Sequence, residues 1–397
     1  MFYFVIFLLL TSFAILEHFN LNKNGRKFLT FIAWLILVLV AGLRFETGGD
    51  WDTYTDIFHR IRPLSDVIHG KYGVSGIEFG YILLNSVIKE FGGNIQYVFF
   101  IITFTNTTLL VDSLKKYTDR VLLALLIYYG VFYFQLEMIY TRQSLAVILS
   151  FFALRYIENR QFWKYLLIIG LAMTFHRMAL VMLPFYFLLT RKVSASIWIF
   201  LVLTGALLMA LNVSWFTFVY LQFSKLLGGE FYSRALFYTS EGQYAVVRGI
   251  SVGFALNLLL FILFIWKKHE IESQNIGIIF FNLFVYSILL YYYTYEVIEI
   301  SNRFRYFFFI SIIVLFPLVI NHLKAFFKLP ILLFIVSYSF FFSRSIFLEE
   351  SIANAYNPYQ NYILCQMNYE KGTGQKRLDK AIQEAKSQRK ELQKTKK

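Results

Sequence analysis

Apolar residues run along this chain in long blocks separated by short polar stretches, at 1–16, 28–42, 95–114, 121–136, 144–157, 162–175, 179–189, 194–211, 249–266, 276–295, 306–320 and 329–342. Each block reads as one membrane-crossing helix, although several are shorter than the roughly 20 residues that a helix perpendicular to the bilayer needs. The expected architecture is therefore all-α and polytopic, with about twelve spans (11–14) and a large outer loop after the second helix. Two stretches are ambiguous. Residues 78–91 place Leu83, Leu84, Val87, Ile88 and Phe91 along one side and read as a surface amphipathic helix or a re-entrant piece, and 213–228 has the same character. No repeat of fixed period is evident. Residues 1–368 form one integral membrane domain, and 369–397 form a basic tail, helical or disordered, in which 378–392 reads as a charged helix.

Composition agrees with the pattern. Hydrophobic residues make up 58% and charged residues 16%, with a mean hydropathy of +0.57, against about 45–50% and about 25% for soluble domains. The single cysteine, Cys365, excludes an intrachain disulfide framework and a cysteine-cluster metal site. A net charge of +14 would suit nucleic acid, but the basic residues sit in short loops between apolar blocks rather than along one soluble face. No positive residue precedes the first block, and Lys23, Arg26 and Lys27 follow it, which is the reverse of a cleaved signal peptide. A retained first span with its N-terminus outside is expected.

Charge type then separates the two sides. The loops at 23–27, 115–120, 155–164, 191–192, 267–268 and 324–328 hold fifteen basic residues, ten of them lysine, and that side is expected to be cytoplasmic. On the opposite side, ten of thirteen basic residues are arginine, including Arg44, Arg142, Arg177, Arg303 and Arg305. Arginine's planar fork suits bidentate recognition of phosphate or carboxylate. An outward-facing site for an anionic ligand follows. The basic tail disagrees with this scheme, since an even number of spans places it outside.

The candidate chemistry gathers at the outer ends of apolar blocks. Arg44-Phe45-Glu46-Thr47-Gly48-Gly49-Asp50-Trp51-Asp52-Thr53-Tyr54 puts an arginine, carboxylates and two glycines at the mouth of the second span. Arg44 reads either as a ligand contact or as a helix-end residue that snorkels to the headgroups. Asp50 and Asp52 have D-x-D spacing, but three residues are a weak metal signal, and a structural or base role is the expectation. His176, beside Arg177, is the candidate base of the outer loops, its bland alternative being a hydrogen-bonded structural histidine. Arg142 and Arg303 each begin a span. The remaining outer carboxylates are Glu46, Asp56, Glu78, Glu137, Glu296 and Glu299.

These residues resemble a known family. Arg44 with Gly48-Gly49-Asp50-Trp51 and Tyr54 looks like the signature of the EpsG family of Wzy-like exopolysaccharide and O-antigen repeat-unit polymerases. Arg142-Gln143-Ser144-Leu145-Ala146, Phe175-His176-Arg177-Met178-Ala179 and Arg303-Phe304-Arg305-Tyr306-Phe307 are similar to its later blocks, and Asn357-Pro358-Tyr359 to a terminal element. The sequence departs from the pattern at Met178, where serine is usual, and at Gly49, where threonine is common.

The resemblance implies a GT-C-like enzyme of the bacterial inner membrane, working at the periplasmic or outer face. It would join oligosaccharide repeat units carried on undecaprenyl pyrophosphate, which serves as both donor and acceptor. Arg44, Arg142 and Arg303 are expected at the pyrophosphate, His176 or Asp50 as base, and Arg305, Tyr54 and Arg177 in support. Neither metal nor cofactor is expected. The expected surroundings are the bilayer, a chain-length regulator and a flippase, with no nucleic acid. Two alternatives stay open: a lipid-linked oligosaccharide flippase, which would line the midplane with its charges, and a membrane O-acyltransferase, which would place His176 toward a cytoplasmic acyl donor.

Overall fold

The structure, a computed structural model, describes residues 1–19, 21–226, 228–240, 249–348, 354–368, 372–380 and 383. Among them the chain is helical and forms no strand, with only an isolated antiparallel bridge between Arg44 and Asn361. It is an all-α, multi-pass membrane protein. Six helices are long and apolar enough to cross a bilayer, and five apolar helices of 10–17 residues accompany them.

In chain order come α1 (Phe2–His18), α2 (Lys23–Gly42), α3 (Trp51–Arg60), α4 (Leu64–Val67), α5 (Phe79–Glu90) and α6 (Ile95–Tyr117). Next, α7 (Val121–Tyr128), a π-helical turn (Tyr129–Tyr133) and α8 (Phe134–Met138) form one run, followed by α9 (Thr141–Glu158) and α10 (Phe162–Phe175). After a 3-10 turn (Arg177–Met182) come α11 (Phe185–Leu188), α12 (Ala195–Ala210), α13 (Phe216–Leu226) and α14 (Gly229–Ser240). The remainder comprises α15 (Val252–Trp266), α16 (Lys268–Ile271), α17 (Asn275–Tyr293), α18 (Ile298–Phe309), α19 (Ile312–Asn321), α20 (Ala325–Leu348) and a short helix, Tyr362–Met367. Every apolar block of the sequence falls on one to three of these elements.

Helix starts in a membrane protein must satisfy their first N–H groups, because lipid offers no acceptor. Asn22, Asn94, Ser194 and Ser251 do this locally for α2, α6, α12 and α15, each such cap contributing about 1 kcal/mol. Two starts are capped from afar. The buried Glu17 carboxylate accepts from the N–H groups of Leu122 and Leu123 at 3.2 and 3.1 Å. Likewise Glu296 accepts from Phe216 and Thr217 at 2.7 and 3.1 Å. In both, a negative charge sits on the positive end of a helix dipole.

The chain divides into two compact units, one of residues 1–152, 170–177 and 324–397, the other of 153–169 and 178–323. The first is built around the run Val121–Met138. Its π-helical turn puts Gly130 against α20 so closely that a Cβ would lie 2.6 Å from Ser339 O. Tyrosine hydroxyls pin this run: Tyr129 donates to Tyr3 O at 2.8 Å and Tyr133 to Leu37 O at 2.6 Å.

Beyond α2, the loop 43–48 is sewn to the late part of the chain. Tyr362 N–H donates to Leu43 O, Phe45 N–H to Gln360 O and Gly48 N–H to Ala355 O, at 2.8–3.0 Å. Gly48 has φ +107°, and a Cβ there would meet Met138 O at 2.5 Å, so glycine is required on both counts. The start of the tail joins the same stitch. Gly374 N–H donates to Glu46 Oε2 at 2.8 Å, and Arg377 donates to Glu46 O at 2.7 Å. Residues 374–380 are helical, while 381–382 and 384–397, most of the expected charged helix at 378–392, lie outside the described residues.

Residues 79–90 form a helix, and the side of α5 that is buried in the protein carries Tyr81, Ile82, Asn85, Ser86 and Ile88, while Phe91 is 86% exposed. Asn85 and Ser86 turn inward because main-chain oxygens await them, Tyr81 O at 2.7 Å and Arg62 O at 2.8 Å. In the second unit α17 is central and packs against α12, α18 and α19. The ambiguous stretch 213–228 contains α13, which packs against α14 and buries only Ser224.

Candidate functional site

Arg44, which begins the glycine-punctuated loop, is completely buried. Its Nη1 donates to Ala41 O at 3.0 Å and Glu137 O at 2.5 Å, its Nη2 to Thr141 Oγ1 at 3.3 Å, and its guanidinium lies 4.1 Å from the Phe99 ring centroid. The Glu137 side chain belongs to the same polar pocket, accepting from Tyr128 at 2.6 Å and from Asn106 at 3.2 and 3.1 Å. Asn106 also donates to Ser144 at 2.8 Å. Arg44 thus ties the end of α2 to the end of α8 and the start of α9.

The neighbouring cluster is more open. Arg142, in the first turn of α9, forms an ion pair through Nη1 with Glu78 Oε2. Arg177 approaches the other oxygen of the same carboxylate, with Nε at 3.9 Å and its main-chain N–H at 3.4 Å. The Arg142 side chain is also hydrogen-bonded to Tyr54, and its guanidinium stands 6.0 Å from the Tyr81 ring. Burial pushes the Tyr54 hydroxyl above the usual phenol range; the positive Arg142 opposes this, and the negative Asp50 adds to it.

Local chain geometry explains the meeting. Glu78 immediately precedes α5, and Gly80 in the first turn of that helix lets its backbone touch α10, where a Cβ would lie 2.4 Å from Thr174 Oγ1. That close approach carries Glu78 to the end of α10, where His176 joins α10 to the 3-10 turn begun by Arg177. His176 is half-buried, its main-chain N–H held by Ala172 O at 3.0 Å. Asp50 sits one residue before α3, and Tyr54 lies one turn further on. Within the first unit Arg142 and Arg177 meet on Glu78, Tyr54 adjoins Arg142 with Asp50 near it, and His176 directly precedes Arg177 in the chain; in the sequence Glu78 was one of several outer carboxylates. Only the acidic residue directly before a helix start hinted at Glu78.

Arg303 and Arg305 belong to the second unit, both on α18 and both half-buried. Arg305 donates to Asn257 Oδ1 at 2.6 Å and packs on two rings, 3.9 Å from the centroid of Phe309 and 4.8 Å from that of Tyr291. It is a braced arginine. Among the described residues no group of three or more histidine, cysteine, aspartate or glutamate side chains is arranged to hold a metal ion.

A family model, described as the EpsG family, matches residues 27–361, most of the chain. No curated protein and no solved structure matches it.

Proposed function

The chain belongs to the EpsG family, and on that premise we propose that it is a membrane glycosyltransferase polymerising oligosaccharide repeat units linked to undecaprenyl pyrophosphate. The observation that carries this reading is the pair Arg142 and Arg177 converging on one carboxylate beside His176 and Tyr54. An arrangement that grips a carboxylate with two guanidinium groups and a main-chain N–H is suited to the oxygens of a diphosphate.

In the proposed reaction a hydroxyl of one lipid-linked unit attacks the anomeric carbon of another lipid-linked chain. The new glycosidic C–O bond forms, the C–O bond to the diphosphate breaks, and undecaprenyl pyrophosphate leaves. Charge that builds on the leaving diphosphate is met by Arg142, with Arg177 and Tyr54 in support. The acceptor proton passes to His176 or Asp50. Arg44 serves as a positioning residue, because its guanidinium is completely buried and its Nη1 and Nη2 donate inside the protein. The site faces the periplasm or outside of a bacterial inner membrane, a GT-C-like arrangement, with a flippase and a chain-length regulator as working partners.

The test is purified protein with a defined lipid-linked repeat unit. Longer lipid-linked chains, with release of undecaprenyl pyrophosphate, are expected. Transfer of the unit across a vesicle membrane without any lengthening would support a flippase instead.

A further inference from the structure

Glu78 is in an unusual position for an acidic residue beside a diphosphate site. Its side chain is only 9% exposed, one carboxylate oxygen faces Arg142, and the other faces both the Nε and the main-chain N–H of Arg177. It therefore occupies the place where the oxygens of an incoming anion would sit. Arg142 also keeps one donor in reserve: its Nε is buried with no hydrogen-bond partner among the described residues. A guanidinium has five N–H donors in a fixed fork, and a single carboxylate cannot use them all.

We infer that Glu78 is a built-in occupant of the anion seat formed by Arg142 and Arg177, and that a diphosphate ester enters by displacing it. This rests on the polymerase reading for the identity of the natural ligand. The physical argument is one of competition. With no ligand bound, the carboxylate keeps two arginines from repelling one another and holds their side chains aimed. An anion with one charge and few oxygens gains little by replacing it, since it would offer the fork no more than Glu78 does and would leave Glu78 half-buried without its partners. A diphosphate brings more charge and more acceptor oxygens, and reaches the unused Nε as well. Glu78 thus selects for diphosphates over phosphates and carboxylates by holding the seat against weaker anions.

The experiment is calorimetric titration of the full-length protein in detergent with inorganic pyrophosphate and with inorganic phosphate. Glu78→Gln keeps the shape and removes the charge. Losing a competing charge-assisted hydrogen bond is expected to tighten pyrophosphate binding about tenfold or more, and phosphate binding should become measurable. Arg142→Gln should abolish both. Equal or weaker pyrophosphate binding by the Glu78→Gln protein would overturn the inference and leave Glu78 a structural brace. Should that variant fail to fold, Glu78→Asp decides the matter: the shorter acid cannot reach both arginines, so tighter pyrophosphate binding than wild type is expected, and unchanged binding refutes the idea. The readout is independent of polymerisation. Failure to lengthen lipid-linked chains, with the binding result intact, counts against the polymerase reading alone.

Discussion

The Arg44 guanidinium donates to the main-chain oxygen of Glu137 at 2.5 Å, while the carboxylate of that glutamate turns away to Tyr128 and Asn106. The arginine is therefore bound to backbone rather than to a carboxylate, and it fixes where the loop 43–50 leaves α2. A lysine there keeps the charge but cannot lie flat on Phe99 while serving the three acceptors. Arg44→Lys is expected to lower stability by about 1–3 kcal/mol, seen as a reduced unfolding temperature in detergent, with turnover per folded molecule reduced only a few-fold. A variant that is fully stable yet inactive would return Arg44 to the ligand.

Arg142 is different, because the proposed chemistry uses its fork directly. Arg142→Lys should insert and fold normally yet lose most polymer formation, since an ammonium is a point charge where two oxygens must be gripped. Polymer lengths from the purified variant check this. Near-normal polymer would make this arginine topological.

The parts of the fold that depend on local pattern were legible in the sequence, and the parts that depend on distant partners were not. Apolar blocks of 11–20 residues became helices because lipid and core impose the same demand on every side chain around the helix. Which face of α5 packs inward was not legible, because Asn85 and Ser86 are buried against main-chain oxygens that hydropathy does not encode. His176 and Arg142 were visible as polar residues at span ends. Glu78 stood out no more than the other outer carboxylates, because its partners lie 64 and 99 residues further along the chain and meet it only in the folded protein, beside the close contact at Gly80. Glu296 looked like a loop carboxylate, whereas it is a buried cap on α13.

That last finding changes how sidedness should be measured. A label at position 296 would report burial, so exposed positions are preferable: Asp56 in the first unit and Lys225 in the second for the outer side, Lys116 and Lys192 for the cytoplasmic side. With Cys365, which is buried, replaced by serine, cysteines at Asp56 and Lys225 should react with an impermeant maleimide added outside, and those at Lys116 and Lys192 should not. The reverse pattern would overturn the orientation and the polymerase reading with it.

The tail makes a separate prediction. Gly374 and Arg377 hold Glu46, a residue with φ +45° in the loop that leads to Asp50. Ending the chain at 371 removes these bonds. Because the stitch between 43–48 and 354–362 remains, the protein should still fold. Proteolysis within 43–50 should become faster and turnover should fall several-fold. Glu46→Gln should show a milder form of the same change. Full activity and unchanged proteolysis in the shortened protein would mean that the contact is incidental.

The acid–base assignment is the most exposed part of the mechanism. If His176 or Asp50 takes the acceptor proton, His176→Ala or Asp50→Asn should cut turnover by about 10²–10⁴-fold, the usual contribution of a positioned base. The unfolding temperature should stay near that of wild type, because His176 lies in a half-buried connection between α10 and the following turn. Asp50 differs from His176 in its setting: burial raises the Tyr54 and Tyr356 hydroxyls above the usual phenol range, and the nearby Asp50 charge adds to this. Chelator should leave the wild-type rate unchanged. Activity lost to EDTA and restored by magnesium or manganese would instead make Asp50 and Asp52 a metal site and replace the base mechanism altogether.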